Sequence, residues 1–197
     1  MKDIQLLHKG KVYHGQVGYD QPELMEVTVM EEPHLPDGDS VLCFDFKRRQ
    51  TMRVLHNFQS KVILAPSDSE LFHIKASSGS KAEEWLVEES ATFTNFKLNT
   101  YGTITDDFKI SAVRISDVSR FGIGFEVNDF SIKMHHVYNS MIICDEECIY
   151  PKLIVRYAHI LEKTIRYGAE IHSISSGDLN KLRYYVAMQQ FKHTMLV

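Results

Sequence analysis

The chain has 197 residues, of which 44% are hydrophobic and 24% are charged, and its formal net charge is -4. This is the composition of an ordinary globular protein, and it excludes a disordered or collagen-like chain. No apolar run approaches the roughly 18 residues that span a bilayer, and residues 1–10 are too broken in apolar character for a signal peptide. We therefore expect a cytoplasmic protein without a membrane span. The acidic balance argues against polymeric DNA or RNA as a partner.

The first part of the chain predicts a β-rich N-terminal domain over residues 1–80. Apolar and polar residues alternate along several of its segments, as they do in half-buried strands. A turn is expected at 33–39, because proline, glycine and aspartate favour the backbone angles of turns. The predicted strands cover residues 11–17, 26–30, 41–46 and 54–64.

A junction between two domains is predicted between residues 65 and 90. Turn residues begin it, and the small polar run 77–80 is typical of a linker. Residues 81–89 are compatible with a short acidic helix that carries Trp85. The second domain is therefore expected to cover residues 90–197.

The second domain is predicted to be an antiparallel β-barrel, because short strands recur at regular spacing with turns between them. Its predicted strands cover residues 92–98, 108–115, 122–127, 141–144 and 153–158. A single helix follows the last strand. The run 175–178 supplies N-cap oxygens, and Leu179, Leu182 and Val186 repeat on one helical face. We expect this helix to extend to about Lys192 and to pack on the barrel, so the fold class is mainly β.

The segment 115–125 carries the strongest functional signal. A strand ends there, a polar turn follows, and a second strand begins after Gly122. Asp117 and Ser119 are two residues apart, so they point the same way in an extended chain. A carboxylate accepts hydrogen bonds from the N–H groups of a purine base, whereas a hydroxyl and backbone N–H groups suit a phosphate. The alternative is a β-hairpin in which both side chains only stabilise the turn.

Residues 90–193 resemble a PilZ domain, the bacterial receptor module for cyclic di-GMP. The resemblance depends on Asp117-x-Ser119-x-x-Gly122 with Ile123-Gly124-Phe125 after it, on the predicted strand 166–171, and on the final helix around 182–186. Residues 1–80 are similar to the β-rich domain that accompanies PilZ in two-domain proteins of the flagellar-brake type. The resemblance implies a PilZ-like barrel as the second domain.

The second motif of that family, RxxxR, occurs here as Arg49-x-x-x-Arg53, with Arg48 before it. Guanidinium groups bind phosphate through paired hydrogen bonds and also match the O6 and N7 atoms of guanine. The resemblance therefore implies a ligand site that consists of Arg48, Arg49, Arg53, Asp117, Ser119 and Gly122.

The RxxxR motif is displaced from its usual place shortly before the strand of Asp117. The sequence has no arginine in residues 54–113, and the usual place holds the acidic residues 88–89. Either Arg49 and Arg53 reach the ligand from the first domain, or the arginine clamp is missing. In the second case, the arginines form a solvated basic edge that protects a strand from aggregation.

From these signals we predict a non-enzymatic receptor for cyclic di-GMP that needs no cofactor. Ligand binding would change the arrangement of the domains and thereby a protein contact in motility or biofilm control, as the resemblance implies. The alternative is a degenerate PilZ module that has lost the ligand and acts as an adaptor between proteins. The sequence also leaves open a homodimer that forms through the helix surface of Tyr184 and Phe191.

Two other chemistries are alternatives to this function. Cys144, Cys148, His135 and His136 suggest zinc, but zinc sites usually have a CxxC pair and a second pair elsewhere. The odd cysteine count, with Cys43 as the third, instead predicts free thiols. The sequence has no nucleophile elbow, P-loop or HExxH motif, so a metal-dependent enzyme is disfavoured.

Overall fold

The alternation of apolar and polar residues leads to two separate β-structures. The structure is a computed structural model that describes residues 2–46, 48–77, 94–129 and 131–195. The chain divides into two compact units, Met1–Phe72 and His73–Val197. The acidic helix predicted at 81–89 and the start of the strand predicted at 92–98 lie outside the described residues.

Six antiparallel strands form a closed barrel in the first unit. They are β1 (Lys2–His8), β2 (Lys11–Gln21), β3 (Leu24–Val29), β4 (Ser40–Phe44), β5 (Arg49–Phe58) and β6 (Lys61–Pro66). The order around the barrel is β1-β2-β3-β6-β5-β4, and pairing of β4 with β1 closes it. Alternate side chains point inward, and Leu6, Val27, Val54, Val62 and Leu64 are fully buried there. The predicted β-rich domain is thus a barrel in its own right.

The prediction of one continuous strand over residues 54–64 is wrong. β5 ends at Phe58 and pairs back through Lys61 of β6, so Gln59 and Ser60 form a hairpin turn. Gln59 takes a φ of 54°, in the left-handed region that such turns require. Neither turn residue is glycine or proline, so the segment has no strong turn signal.

Seven strands form the sheet of the second unit. They are β7 (Phe96–Thr105), β8 (Ile110–Ser119), β9 (Gly122–Val127), β10 (Val137–Cys144), β11 (Glu147–Ile149), β12 (Lys152–Ile160) and β13 (Ile165–Ser173). The order is β11-β10-β12-β13-β9-β8-β7, and β10 also pairs with β7. Six strands therefore close into a barrel, and the short β11 is attached to β10. The predicted antiparallel barrel is confirmed.

The interior of the second barrel positions β9 against β13. Phe125 and Tyr167 occupy opposite positions on these strands, and their rings stack with centres 5.4 Å apart. Ile123 and Ala169 form the next inward pair along the same strands, and both are buried. Since side chains alternate between the two faces of a strand, the residues between these pairs face outward.

A C-terminal helix, α1 (Ser176–Met195), follows β13. Ser175 is its N-cap, because its Oγ accepts a hydrogen bond from the backbone N–H of Asp178 at 3.0 Å. Leu182 and Val186 are fully buried where the helix packs against β7, β10 and β11. The predicted helix is confirmed, and it extends slightly further than expected.

The helix also holds the segment that enters the second unit. Arg183 is only 7% exposed, and its Nη2 donates a hydrogen bond to the carbonyl oxygen of Ile74 at 2.7 Å. The backbone N–H of Ser77 donates to the carbonyl oxygen of Ile171 at 2.8 Å. These contacts explain why residues 73–77 belong to the second unit.

Two further expectations concern membrane and thiol chemistry. Within the described ranges, no helix has both the length and the apolar character that a membrane crossing requires. Cys43, Cys144 and Cys148 are free thiols, as predicted.

We predict that Ser175→Ala lowers the free energy of unfolding of the second unit by about 1 kcal/mol, because the helix loses its N-cap acceptor. The matched control is Ser176→Ala, at the exposed first position of the helix. Urea unfolding followed by far-ultraviolet circular dichroism measures both changes. Equal effects of the two substitutions would show that Ser175 is not the cap.

Candidate functional site

The turn between β8 and β9 holds the motif of Asp117, Ser119 and Gly122. β8 ends at Ser119 and β9 begins at Gly122, so Arg120 and Phe121 form the turn. Ser119 Oγ accepts a hydrogen bond from the backbone N–H of Phe121 at 3.2 Å, which stabilises the turn. Accepting this bond does not use the hydroxyl proton, so Ser119 keeps a donor for an anion.

The Asp117 carboxylate lies against the backbone of β9. Asp117 is opposite Gly124 in the pairing of β8 with β9. A Cβ atom on Gly124 would lie 2.4 Å from Asp117 Oδ2, which is shorter than real contacts of this kind. Gly124 therefore provides the space that the carboxylate occupies.

Arg166 of β13 binds this carboxylate. Its Nη2 donates a hydrogen bond to Asp117 Oδ2 at 2.8 Å, and Ser116 Oγ donates to the same oxygen at 2.6 Å. The side chains of Arg166 and Asp117 are 36% and 12% exposed, so the pair borders solvent. Charge-assisted hydrogen bonds are short and strong, and they fix the direction of both groups. The predicted acceptor for a purine is thus held in place by a guanidinium.

Gly122 has a packing role behind the turn. It is opposite Glu170 of β13, and a Cβ atom on Gly122 would lie 2.0 Å from the carbonyl oxygen of Ala169. Glu170 is 2% exposed and accepts a hydrogen bond from Arg156 Nε at 2.7 Å. A buried carboxylate needs a partner, and Arg156 provides it next to the turn.

Arg49 of the predicted clamp begins β5 in the first unit, and Arg48 directly precedes it. Arg48 forms an ion pair with Asp20, and its backbone N–H donates to Asp45 Oδ1 at 2.8 Å. Arg49 is exposed at the first position of β5. Arg48 is therefore engaged by carboxylates of its own barrel, whereas Arg49 faces solvent.

Arg53, the third arginine of the clamp, is held inside the same unit. Its Nε donates to the carbonyl oxygen of Gly38 at 3.2 Å, and its guanidinium lies 4.2 Å from the centre of the Phe72 ring. Such a cation–π contact contributes about 0.5–1 kcal/mol at exposed sites. Arg53 thus has a structural role in the first unit, and its role as a ligand residue stays a prediction.

Arg166 is the residue of this site that the sequence did not reveal. Arg166 lies in the predicted strand 166–171, but the local sequence pattern does not show that this strand pairs with β9. The available signal was its spacing: Arg166 stands two positions before Gly168, so both face the same side of the strand. Only the register of β9 against β13 brings it to Asp117.

A second carboxylate beyond β9 stabilises the end of the barrel. Asp129 binds Lys109 Nζ at 2.7 Å and accepts a hydrogen bond from Ser111 Oγ at 2.7 Å and from the backbone N–H of Ser131 at 2.9 Å. The ammonium of Lys109, followed by these hydrogen bonds, holds the pKa of Asp129 well below its usual range. The Tyr167 hydroxyl donates to the backbone oxygen of Asp129, which ties this cluster to β13.

Among the described residues, the candidate zinc ligands do not form a metal site. Among the side chains in the described ranges, no three His, Cys, Asp or Glu residues are grouped so that they could hold a metal ion. Burial raises the pKa of the Cys144 thiol to about 12, which disfavours the thiolate that binds zinc. His135 and His136 precede β10.

Comparison with known proteins gives structural likenesses only. No family model matches this sequence, and no curated protein matches it. Similar solved structures include the inhibitor of motility MotI/DgrA of Bacillus subtilis, with 12% identity and a TM-score of 0.46 over 97% of both chains. The complex of K. pneumonia MrkH with c-di-GMP has 7% identity and a TM-score of 0.48 over 100% of this chain and 90% of that one.

A third likeness is to a shorter chain. The PilZ domain of YcgR from Escherichia coli, solved with c-di-GMP, has 10% identity and a TM-score of 0.46, and covers 55% of this chain and 100% of that one. All three identities are 12% or lower and the TM-scores are below 0.5, so none of these likenesses assigns a function to this chain.

We predict that Gly124→Ala lowers the free energy of unfolding by about 1–3 kcal/mol, because the new methyl group displaces the Asp117 carboxylate from Arg166. Gly177→Ala is the control, since its nearest neighbour outside the local chain is 3.9 Å away. Urea unfolding of both variants tests this. If Gly124→Ala is as stable as Gly177→Ala, the carboxylate does not depend on that space.

A second prediction concerns pH. Asp129→Asn is expected to lower the free energy of unfolding at neutral pH by about 1–3 kcal/mol, since hydrogen bonds to a charged group are lost. Folding lowers the pKa of Asp129, so the charged form stabilises the protein above the ordinary pKa of 3.8. This contribution is lost as the pH falls from that value through the lower pKa of the folded state.

The difference between wild type and Asp129→Asn should therefore be constant from neutral pH down to about pH 5 and shrink below about pH 4. Urea unfolding at a series of pH values measures it. Asp107→Asn, which removes an exposed carboxylate of the adjacent turn, is the control. A difference that grows as the solution is acidified would contradict the assignment.

Proposed function

We propose that this chain binds cyclic di-GMP at the outer face of its C-terminal barrel, beside the turn between β8 and β9. The observation that carries the proposal is the hydrogen bond of 2.8 Å between Arg166 and the Asp117 carboxylate at the solvent border. The pair presents an acceptor and several donors side by side, and guanine has donors and acceptors side by side on its edge. The motif through which the sequence resembles PilZ domains supports the same ligand.

The turn itself supplies groups for phosphate. Ser119 has a hydroxyl donor, and the guanidinium of Arg120 lies 5.4 Å from the centre of the Phe121 ring in the same turn. Cyclic di-GMP carries two phosphate charges, so guanidinium groups near the turn favour it electrostatically. Arg49 and Arg53 stay proposed as additional phosphate and guanine ligands, and each charge-assisted bond would contribute about 1.5–3 kcal/mol.

The proposed role is that of a cytoplasmic bacterial receptor rather than an enzyme. We propose that ligand binding changes the arrangement of the two units and thereby the contact with a partner protein, in motility or biofilm control. The size of such a change is limited by the difference in ligand affinity between the two arrangements. This part of the proposal is supported by the family resemblance of the sequence.

A second candidate function is an adaptor that has lost the ligand. It is favoured by contacts that predicted ligand residues already make within their own units. Arg48 is paired with Asp20, Arg53 binds the carbonyl oxygen of Gly38, and Asp117 binds Arg166. Ligand binding through Arg48 or Arg53 would have to replace these contacts.

Calorimetric titration of the full chain with cyclic di-GMP separates the two candidates. We expect saturable binding by the wild type. We expect Asp117→Ala to weaken it about ten- to hundredfold, because a hydrogen bond to a charged group contributes about 1.5–3 kcal/mol. Asp107→Ala, which removes an exposed carboxylate outside the site, should bind like the wild type.

The double variant Arg49→Ala/Arg53→Ala tests the clamp separately. If binding is unchanged in this variant, the clamp is wrong while the proposed function stands. If folded wild-type protein gives no heat of binding, the receptor function is wrong and the adaptor is favoured.

A further inference from the structure

Four residues form one row across the outer face of the second barrel. In the strand pairings, Asp117 of β8 is opposite Gly124 of β9, Gly124 is opposite Gly168 of β13, and Gly168 is opposite Tyr157 of β12. Both central positions are glycine, so the middle of the row has no side chain of its own. We call these four residues the glycine shelf.

The two outer side chains of the shelf lie over the two glycines. A Cβ atom on Gly168 would lie 2.0 Å from carbon atoms of the Tyr157 ring, just as one on Gly124 would lie 2.4 Å from Asp117 Oδ2. A carboxylate and an aromatic ring therefore occupy neighbouring places on the same face of the sheet. A larger residue in place of either glycine would displace the side chain that lies over it.

An aromatic ring over glycine is also a packing device in β-sheets, in which the ring shields exposed backbone. That packing role alone would not require the ring to be exposed to solvent. Tyr157 is 44% exposed, so part of the ring borders solvent next to the Asp117 carboxylate. A partly exposed ring that lies against the sheet is suited to stacking a planar base.

Arg166 stands beside the shelf on the same side of β13. It precedes Gly168 by two positions, and its side chain is 36% exposed. Within the described residues, its Nη2 binds Asp117 Oδ2, and its Nε and Nη1 groups make no hydrogen bond. Two donor groups of a guanidinium whose direction is fixed thus lie on the same face of the sheet as the Tyr157 ring.

We propose that the glycine shelf and Arg166 bind one guanine base of the ligand, an inference that rests on the proposed function. The base stacks on Tyr157. Arg166 donates hydrogen bonds to guanine O6 and N7, and Asp117 Oδ1 accepts from the N–H groups at N1 and N2. All of these residues belong to the second unit, so this base needs no residue from the first.

The chemistry predicts which base is accepted. Adenine carries an amino group where guanine has O6 and has no N–H group at N1, so it would face Arg166 with a donor and Asp117 without one. Arg166 is therefore a specificity-determining residue, and Tyr157 contributes stacking without distinguishing the two purines.

Titrations of full-length variants with cyclic di-GMP and cyclic di-AMP test the inference. Arg166→Ala should weaken cyclic di-GMP binding about ten- to hundredfold and reduce the preference over cyclic di-AMP, since a paired contact to guanine is lost. Arg166→Lys keeps the charge but loses the fork, and it should show most of the same loss. Arg114→Ala is the matched control, because it removes a 49% exposed arginine of β8 that is paired with Glu126.

Tyr157 is tested in the same way. Tyr157→Ala should weaken both ligands by a similar factor of about ten, because stacking is lost for either base. Tyr157→Phe keeps the ring and should retain most of the affinity that Tyr157→Ala loses. Thermal unfolding of every variant shows that the chain is folded at the temperature of titration.

The outcomes separate this inference from the function on which it rests. If the wild type does not bind cyclic di-GMP, both are wrong. If the wild type binds and Arg166→Ala or Arg166→Lys binds equally well, the guanine contact is wrong while the receptor function stands. If Arg166→Ala and Arg114→Ala weaken both ligands equally, Arg166 acts only through its charge, and the assignment of specificity is wrong.

Discussion

The candidate site depends on one contact, the hydrogen-bonded ion pair of Asp117 and Arg166 across three strands. The carboxylate reaches the guanidinium because the strand between them, β9, presents Gly124 at that position and leaves its outer face open. Any side chain there would raise the carboxylate from the sheet and separate the two charges. The glycine is therefore as much a part of the site as the charged residues are, although it contributes no functional group.

The two barrels use their arginines differently. In the first unit, Arg48 and Arg53 bind a carboxylate and a carbonyl oxygen of their own barrel. In the second unit, the half-buried Arg156 pairs with the buried Glu170, while Arg166 keeps part of its guanidinium at the surface. A guanidinium at the surface with two donors available is the arrangement that suits a guanine edge. The displaced arginine motif is therefore accompanied by an arginine that the second barrel supplies itself.

Local pattern predicted most of the fold. The alternation over β9 and the N-cap at Ser175 each correspond to an element in the structure, because strand faces and helix caps depend on residues close together in sequence. The hairpin at Gln59 was missed, since its turn is made by a non-glycine residue in the left-handed region. At the site, the motif located the turn with Asp117 and Ser119, but it did not predict that Gly122 packs against the backbone of β13.

The sequence by itself determined that the chain is rich in strands, that a helix follows the last strand, and that a carboxylate and a hydroxyl lie beside one turn. These properties follow from side-chain periodicity and turn chemistry, which act over a few residues. The tertiary structure alone decided that Arg166 meets Asp117 and that Tyr157 lies on Gly168. The reason is that strand register is set by packing between residues far apart in sequence, and a shift of one residue would turn these side chains to the opposite face.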